Sequence, residues 1–218
     1  MKIYPLEAGP VATYGYLITD SETKKAVLVD TPKDCAEPFL QLLKDENLEL
    51  ERILLTHSHW DHTADAAEMQ RRTGAPIYLH KDDEYRATDP GKYLGWKLPF
   101  EIEAISIDEF LKEGDTIECG RWKFDVIHTP GHTEGGVCFI DHAMKIALVG
   151  DTLFKSSVGR TDLPGGDAKM LLKSIREKLL TLPDDYTVLP GHGDMTTIGA
   201  ERKRNPFLKP EFFEGGDF

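Results

Sequence analysis

Six residues, His57-Ser58-His59-Trp60-Asp61-His62, gather three imidazoles and a carboxylate directly after the apolar run Ile53-Leu54-Leu55. Imidazole is the commonest metal ligand near neutral pH, so a chain with this density of donors at the end of a strand is constrained to fold around a shared centre. His57 and His59, two apart, project the same way from an extended segment. Asp61 and His62 reach the same centre only if the chain bends into a helix at Asp61 and brings them in from a second direction. That suits two adjacent metals better than one. The competing reading is solvated histidines beside a helix-capping aspartate.

Three later sites argue for the metal. His132 lies in Thr129-Pro130-Gly131-His132-Thr133-Glu134-Gly135-Gly136, Asp151 in Val149-Gly150-Asp151-Thr152, and His192 in Leu189-Pro190-Gly191-His192-Gly193. Each follows an apolar, β-prone run that ends in glycine. Strand ends and glycine turns are where a rigid scaffold presents reactive groups. One such residue would read as a cap or turn; three, added to the first cluster, form a series.

This series resembles the metallo-β-lactamase superfamily, and within it the chain is most similar to short, single-domain glyoxalase II-like hydrolases of the hydroxyacylglutathione hydrolase type. The likeness runs from Gly15-Tyr16-Leu17-Ile18 through Pro190-Gly191-His192-Gly193 to Asn205-Pro206-Phe207-Leu208. It implies an α/β (α+β) fold, the αββα sandwich, with metals at one edge between the sheets. Carried over position by position, it implies that His57, His59 and His132 bind one metal, that Asp61, His62 and His192 bind the other, and that Asp151 bridges. Two cations about 3.5 to 4 Å apart make a hydroxide held between them a strong nucleophile at neutral pH. Asp61 and Asp151 are then the catalytic carboxylates, although Asp61 could orient that hydroxide rather than ligate throughout. An imidazole and carboxylate set without thiolate accepts zinc, iron or manganese; two divalent ions are expected, zinc first.

A thioester suits such a centre, because its thiolate leaves without a dedicated general acid. The chain carries no serine or cysteine in a recognisable nucleophile elbow and no second acidic pair of the glycosidase kind. The resemblance therefore implies hydrolysis of a thioester such as S-lactoylglutathione. Arg160, in Val158-Gly159-Arg160-Thr161-Asp162, stands where the family places a substrate-binding lysine or arginine. Asp162 and Asp194 stand where glutathione-specific relatives carry tyrosines, which weakens the assignment to glutathione. Lys155, Arg202 and Arg204 read as surface charge.

Charge and size narrow the class. A chain of 218 residues with 38 acidic against 26 basic side chains, net charge -12, has no compensating basic stripe for a polyanion. The expected partner is a small molecule, with no nucleic acid and no membrane, in a monomer or small homo-oligomer. Cys35, Cys119 and Cys138 form no CxxC and read as buried packing in a reducing compartment. Without a signal core or an apolar span, a cytoplasmic protein is expected, and one domain over 1–218.

Strands are expected at 13–18, 26–30, 52–55, 76–79, 115–119, 122–128, 136–141, 145–149 and 186–189, and helices at 36–46 with Asp34 as cap, from Asp61 to about Arg72 with Gly74 as C-cap, at 167–181, and at 197–204. Residues 81–104, with Tyr85, Tyr93, Trp96 and Phe100, either line a substrate entrance or cover a core edge; aromatic packing favours the second. His80 and His142 read as solvated, and His128 as a candidate to hold a ligand's free N–H.

The nearest rival is a mononuclear iron persulfide dioxygenase, in which His57, His132 and Asp151 would form a facial triad. Pro190-Gly191-His192-Gly193 favours the hydrolases. Lactonase and β-lactamase activities lack identifiable substrate-side residues here. A non-catalytic, metal-free binding module would show missing ligands, and all seven positions are filled.

Overall fold

In a computed structural model that describes residues 1–93 and 97–209, two six-stranded sheets face one another. The first follows chain order: β1 (Lys2–Ala8), β2 (Thr13–Asp20), β3 (Lys25–Val29), β4 (Glu49–Leu54), β5 (Ile77–His80) and β6 (Glu109–Leu111). Its connections carry α1 (Ala36–Asp45), α2 (Trp60–Thr63), α3 (Ala66–Thr73), α4 (Glu84–Thr88) and α5 (Pro90–Tyr93). The first three strands pair antiparallel and the remainder parallel. The second sheet is built from β7 (Thr116–Cys119), β8 (Trp122–His128), β9 (Val137–Asp141), β10 (Ile146–Gly150), β13 (Thr187–Pro190) and β14 (Thr196–Thr197). Between β10 and β13 lie a short ribbon, β11 (Leu153–Phe154) with β12 (Ser157–Val158), and α6 (Ala168–Glu177); α7 (Ile198–Arg204) follows β14.

Alternation along the strands produces three apolar layers. On β2 and β3, Leu17, Ala26 and Leu28 face α1 and α3, where Phe39, Leu43 and Met69 close the outer core. Their neighbours Tyr16, Ile18, Val27 and Val29 point the other way, onto Phe124, Val126, Phe139 and Leu148 of the second sheet. That sheet repeats the pattern: Cys138, Ile140, Ala147, Val149 and Val188 turn outward onto Leu171, Ile175 and Ile198 of α6 and α7. Since successive strand side chains point to opposite faces, each sheet is apolar on both sides and needs a cover on both. The result is the αββα sandwich expected from the resemblance. Fully buried rings such as Phe39, Phe124 and Phe139 each contribute about 1.5–3 kcal/mol.

Several expectations need correction. β1 was absent from the expected strands because Pro5 interrupts its pattern; the strand lies at the sheet edge, where a missing N–H is tolerated. Asp34 does not cap α1. Asp65 accepts the Ala36 N–H instead, at 3.0 Å. The helix from Asp61 is two helices, α2 and α3, because Asp65 turns toward α1 and donates its own N–H to Thr31 O. Gly74 does end α3 in the left-handed conformation, φ 74°. Residues 81–104 are partly wall rather than cover: Arg86, Pro90 and Lys92 line the cavity, whereas Ala87, followed by Ile105 just beyond the segment, does pack into the outer core. Phe100 stacks at a tilt on Trp60; Trp96 and the Tyr93 side chain lie outside the described residues. Cys35, Cys119 and Cys138 are all buried. Among the described residues, no helix is long and apolar enough to cross a membrane.

Candidate metal centre

Four strand ends deliver the donors to one place. The loop after β4 carries His57 and His59, and α2 supplies the bend that turns Asp61 and His62 inward. The loops after β8, β10 and β13 bring His132, Asp151 and His192. His57, His59 and His132 place one nitrogen each within 4.8 Å of one another; Asp61, His62 and His192 form a second such group, and His57, His62 and Asp151 a third that joins them. His62 Nε2 lies 3.3 Å from Asp151 Oδ1, and Asp151 Oδ2 lies 3.5 Å from both His132 Nε2 and His192 Nε2. His192 Nε2 is 3.1 Å from Asp61 Oδ2. The seven donors singled out in the sequence thus meet in one centre, with Asp151 between the two groups.

The outer hydrogen bonds decide which ring nitrogen faces inward. A backbone carbonyl only accepts, so His132 Nδ1 donates to Arg160 O at 2.7 Å, and His192 Nδ1 donates to Val11 O and Ala12 O at 3.2 Å. Asp30, buried at the end of β3, accepts from His62 Nδ1, Thr56 N and Thr56 Oγ1, each at 2.8 Å. Because the Thr56 hydroxyl spends its proton on Asp30, its oxygen accepts from His57 Nδ1 at 3.0 Å. Four imidazoles therefore turn a bare Nε2 toward the centre.

Asp30 escaped the sequence reading. It had a signal: Val27-Leu28-Val29-Asp30 is another apolar run closed by an aspartate, here at φ 58°. Thr13, also unanticipated, donates to Asp61 Oδ2 at 2.9 Å.

Charge and burial fit a cation. Burial, then the neighbouring imidazoles of His62, His132 and His59, holds His57 well below the ordinary histidine range, and burial with His132 pushes His59 down to about 3. Both are neutral, as ligation requires. Burial, the largest influence, opposes ionisation of Asp61 and Asp151, but His62 together with His192 and the neighbouring donors, Thr13 at Asp61 and His132 at Asp151, keeps both carboxyls low. Burial likewise opposes a charged His62, yet Asp151, Asp30 and Asp61 raise it; the pocket favours positive charge at that position. His132 Nε2 and His57 Nε2, two bare lone pairs, sit 3.2 Å apart, and His62 Nε2 and Asp151 Oδ1 are buried without any hydrogen bond. A cation relieves both costs. The seven donors fit divalent metal ions.

The other candidates separate from this centre. Arg160 lines the cavity of about 440 Å³ in front of it, together with Val11, Trp60, Leu163 and Pro164. Its exposed guanidinium is paired with Asp162, to which Nε and Nη2 each donate at 2.7 Å. Lys155 pairs with Asp194, and Arg202 binds Leu180 O and Leu182 O. His128 holds no ligand nitrogen; its Nε2 meets Glu134 O at 2.8 Å. His80 is half-buried rather than solvated, stacked on His128 at 4.1 Å, whereas His142 is exposed as expected.

The chain is similar to several known proteins. A sequence model of a family described as "Metallo-beta-lactamase superfamily" matches residues 8–192. The chain is 39% identical over 201 residues, 88% of its length and 91% of the relative's, to a protein named hydroxyacylglutathione hydrolase GloC from Haemophilus influenzae. Its structure resembles that of BLEG-1, described as a B3 metallo-beta-lactamase, with TM-score 0.88, 37% identity and coverage of 95% of this chain and 100% of the other. It also resembles TTHA1623, solved in a di-iron-bound form, with TM-score 0.83, 38% identity and coverage of 94% and 100%.

Proposed function

The chain belongs to the metallo-β-lactamase superfamily, and on that footing we propose that it is a dinuclear metal-dependent hydrolase that cleaves a thioester of the S-lactoylglutathione type. The observation that carries the reading is the pair of donor groups, His57/His59/His132 and Asp61/His62/His192, with Asp151 within reach of both. Bound divalent cations, zinc first and iron or manganese as alternatives, supply a water acidified toward neutral pH and a Lewis acid for the carbonyl.

The chain's own groups do the rest. Asp30, Thr56, Arg160 O and the Val11–Ala12 carbonyls hold the histidines in the inward-facing tautomer. Thr13 fixes Asp61, which is positioned to ligate or to orient the attacking water. Trp60, Leu163 and Pro164 give the cavity apolar walls that seat the substrate and thin out competing water. The leaving thiolate needs no proton donor near neutral pH. Thiol nucleophiles do not compete: burial pushes Cys119 up to about 12, Cys138 up to about 11, and Cys35 upward as well.

The name of the Haemophilus influenzae relative supports the thioester class, and the net charge of -12 disfavours nucleic-acid substrates. Asp162, paired with Arg160, offsets the charge that this arginine offers a substrate anion. The test is a panel of thioesters, lactones and glutathione persulfide, assayed on protein reconstituted separately with zinc and with ferrous iron. Chelator-sensitive thioester cleavage with two metals per chain is expected. One iron per chain with oxygen consumption on the persulfide would replace the reading with the dioxygenase, and no metal uptake would leave a binding module.

A further inference from the structure

Asp83, which the sequence reading did not single out, is fully buried between β5 and α4. Its Oδ2 accepts from Ser58 N at 2.8 Å and from Ser58 Oγ at 3.0 Å; its Oδ1 accepts from Gly135 N at 2.7 Å. Ser58 stands between His57 and His59, and Gly135 three residues after His132. One carboxylate thus ties together, at Ser58 and Gly135, the two loops that supply one donor group; these bonds reach neither the Asp61 and His62 side chains of α2 nor the His192 loop.

Arg86, also buried, extends the tie. Its Nη1 donates to Asp83 Oδ1 at 3.2 Å, and its Nη2 donates to the Glu134 carboxylate and to Pro164 O, the latter at 2.7 Å. Pro164 belongs to the loop whose Arg160 carbonyl receives the His132 Nδ1–H. Two glycines make the room. A Cβ on Gly135 would stand 2.8 Å from Asp83 Cβ and Cγ, and one on Gly165 would collide with Arg86 Nη2 and Glu134. The second donor group is held differently, by Asp30 and Thr31 on His62, Thr13 on Asp61, and the Val11–Tyr14 segment on His192 and Gly191.

We propose that Asp83 and Arg86 are positioning residues that set the spacing of His57, His59 and His132 and leave Asp61, His62 and His192 alone, so that one metal affinity of the centre has a control that the other does not share, beside Asp30, which acts on both. The inference rests on the two-metal reading. Asn at position 83 retains one acceptor oxygen and presents an NH2 in place of the other, so it repels either the Ser58 or the Gly135 amide. Outer-sphere losses of this kind weaken metal binding about 10- to 100-fold.

The experiment is a zinc titration of metal-free protein against competing chelators that resolves the two binding steps, with His192→Ala identifying the step that belongs to the second group. In Asp83→Asn the other step weakens about 10- to 100-fold while the His192 step stays within about threefold. Ser58→Ala, which keeps the backbone bond and loses only the hydroxyl, weakens the same step less; it decides the matter if Asp83→Asn does not fold. Arg86→Lys, which keeps the charge but cannot span Asp83, Glu134 and Pro164, falls between them. Equal loss at both steps, or no loss in a folded variant, overturns the proposal. Amide exchange on the metal-free protein gives a readout that no metal can confound: Ser58 and Gly135 must exchange faster in Asp83→Asn, and Thr31 and Thr56 must not. If the parent protein takes up fewer than two zinc ions, the two-metal reading fails, and unchanged exchange at Ser58 and Gly135 then sinks the clamp as well.

Discussion

Replacing Asp30 with Asn changes almost nothing in shape and should disable the centre, because Asp30 governs the protons of two histidines at once. In the parent protein the carboxylate accepts three hydrogen bonds, from Thr56 N, Thr56 Oγ1 and His62 Nδ1, and Thr56 relays its effect to His57 Nδ1. Asn can keep the Thr56 N–H on its oxygen, but its NH2 then faces His62 Nδ1 and Thr56 Oγ1 as a donor. His62 must accept at Nδ1 and carry its proton on Nε2, pointing inward. The Thr56 hydroxyl reverses, donates to His57 Nδ1, and drives that ring to the same wrong tautomer. Losing an outer-sphere partner costs about 10- to 100-fold in metal affinity, roughly 1.4 to 2.7 kcal/mol. Two histidines in contact do not add fully, so the expectation is a loss of at least about tenfold at each of the two steps, since His57 and His62 belong to different donor groups. Chelator competition measures it, with ring nitrogen chemical shifts reporting the tautomers and urea unfolding checking the fold. Zinc affinities within about threefold of the parent, or shifts showing Nδ1–H retained on both rings, would refute the tautomer argument.

Gly191→Ala should fold at a cost of about 1–3 kcal/mol and fail to take up its full metal complement, because the new Cβ would lie 2.5 Å from His62 Cε1 and collide with the Asp151 carboxylate; full uptake with normal turnover would contradict the placement of Gly191. Asp162→Asn frees the Arg160 fork, and the ratio of kcat/KM for S-lactoyl-N-acetylcysteine over its methyl ester should rise about three- to tenfold, the scale of one charge near a surface; an unchanged ratio would show that Arg160 does not face the substrate. Asp20, buried against Arg121, is held well below the ordinary carboxyl range chiefly by the guanidinium hydrogen bonds. Its stabilising effect is complete above the unfolded value near 3.9 and is lost as the pH falls below it. Urea midpoints from pH 6 to pH 3 should therefore drop less steeply in Asp20→Asn than in the parent, and parallel curves would argue against a depressed Asp20.

The chemistry of the donors could be read along the chain because ligand identity is a property of side chains and strand ends are marked locally by apolar runs and glycine. His57, His59, Asp61, His62, His132, Asp151 and His192 were all visible for that reason. The near-continuous apolar runs of β3, β9 and β10 are what put cores on both faces of each sheet. What holds the donors was not visible. Asp30 lies 32 residues from His62, Asp83 lies 52 from Gly135, and Arg160 bonds His132 through its carbonyl rather than the guanidinium its identity suggests. Such partners are chosen by proximity in three dimensions and by backbone groups that every residue carries, so no pattern along the chain marks them; only the packing of the two sheets decided which acceptor met which imidazole, and hence which nitrogen faces the metals.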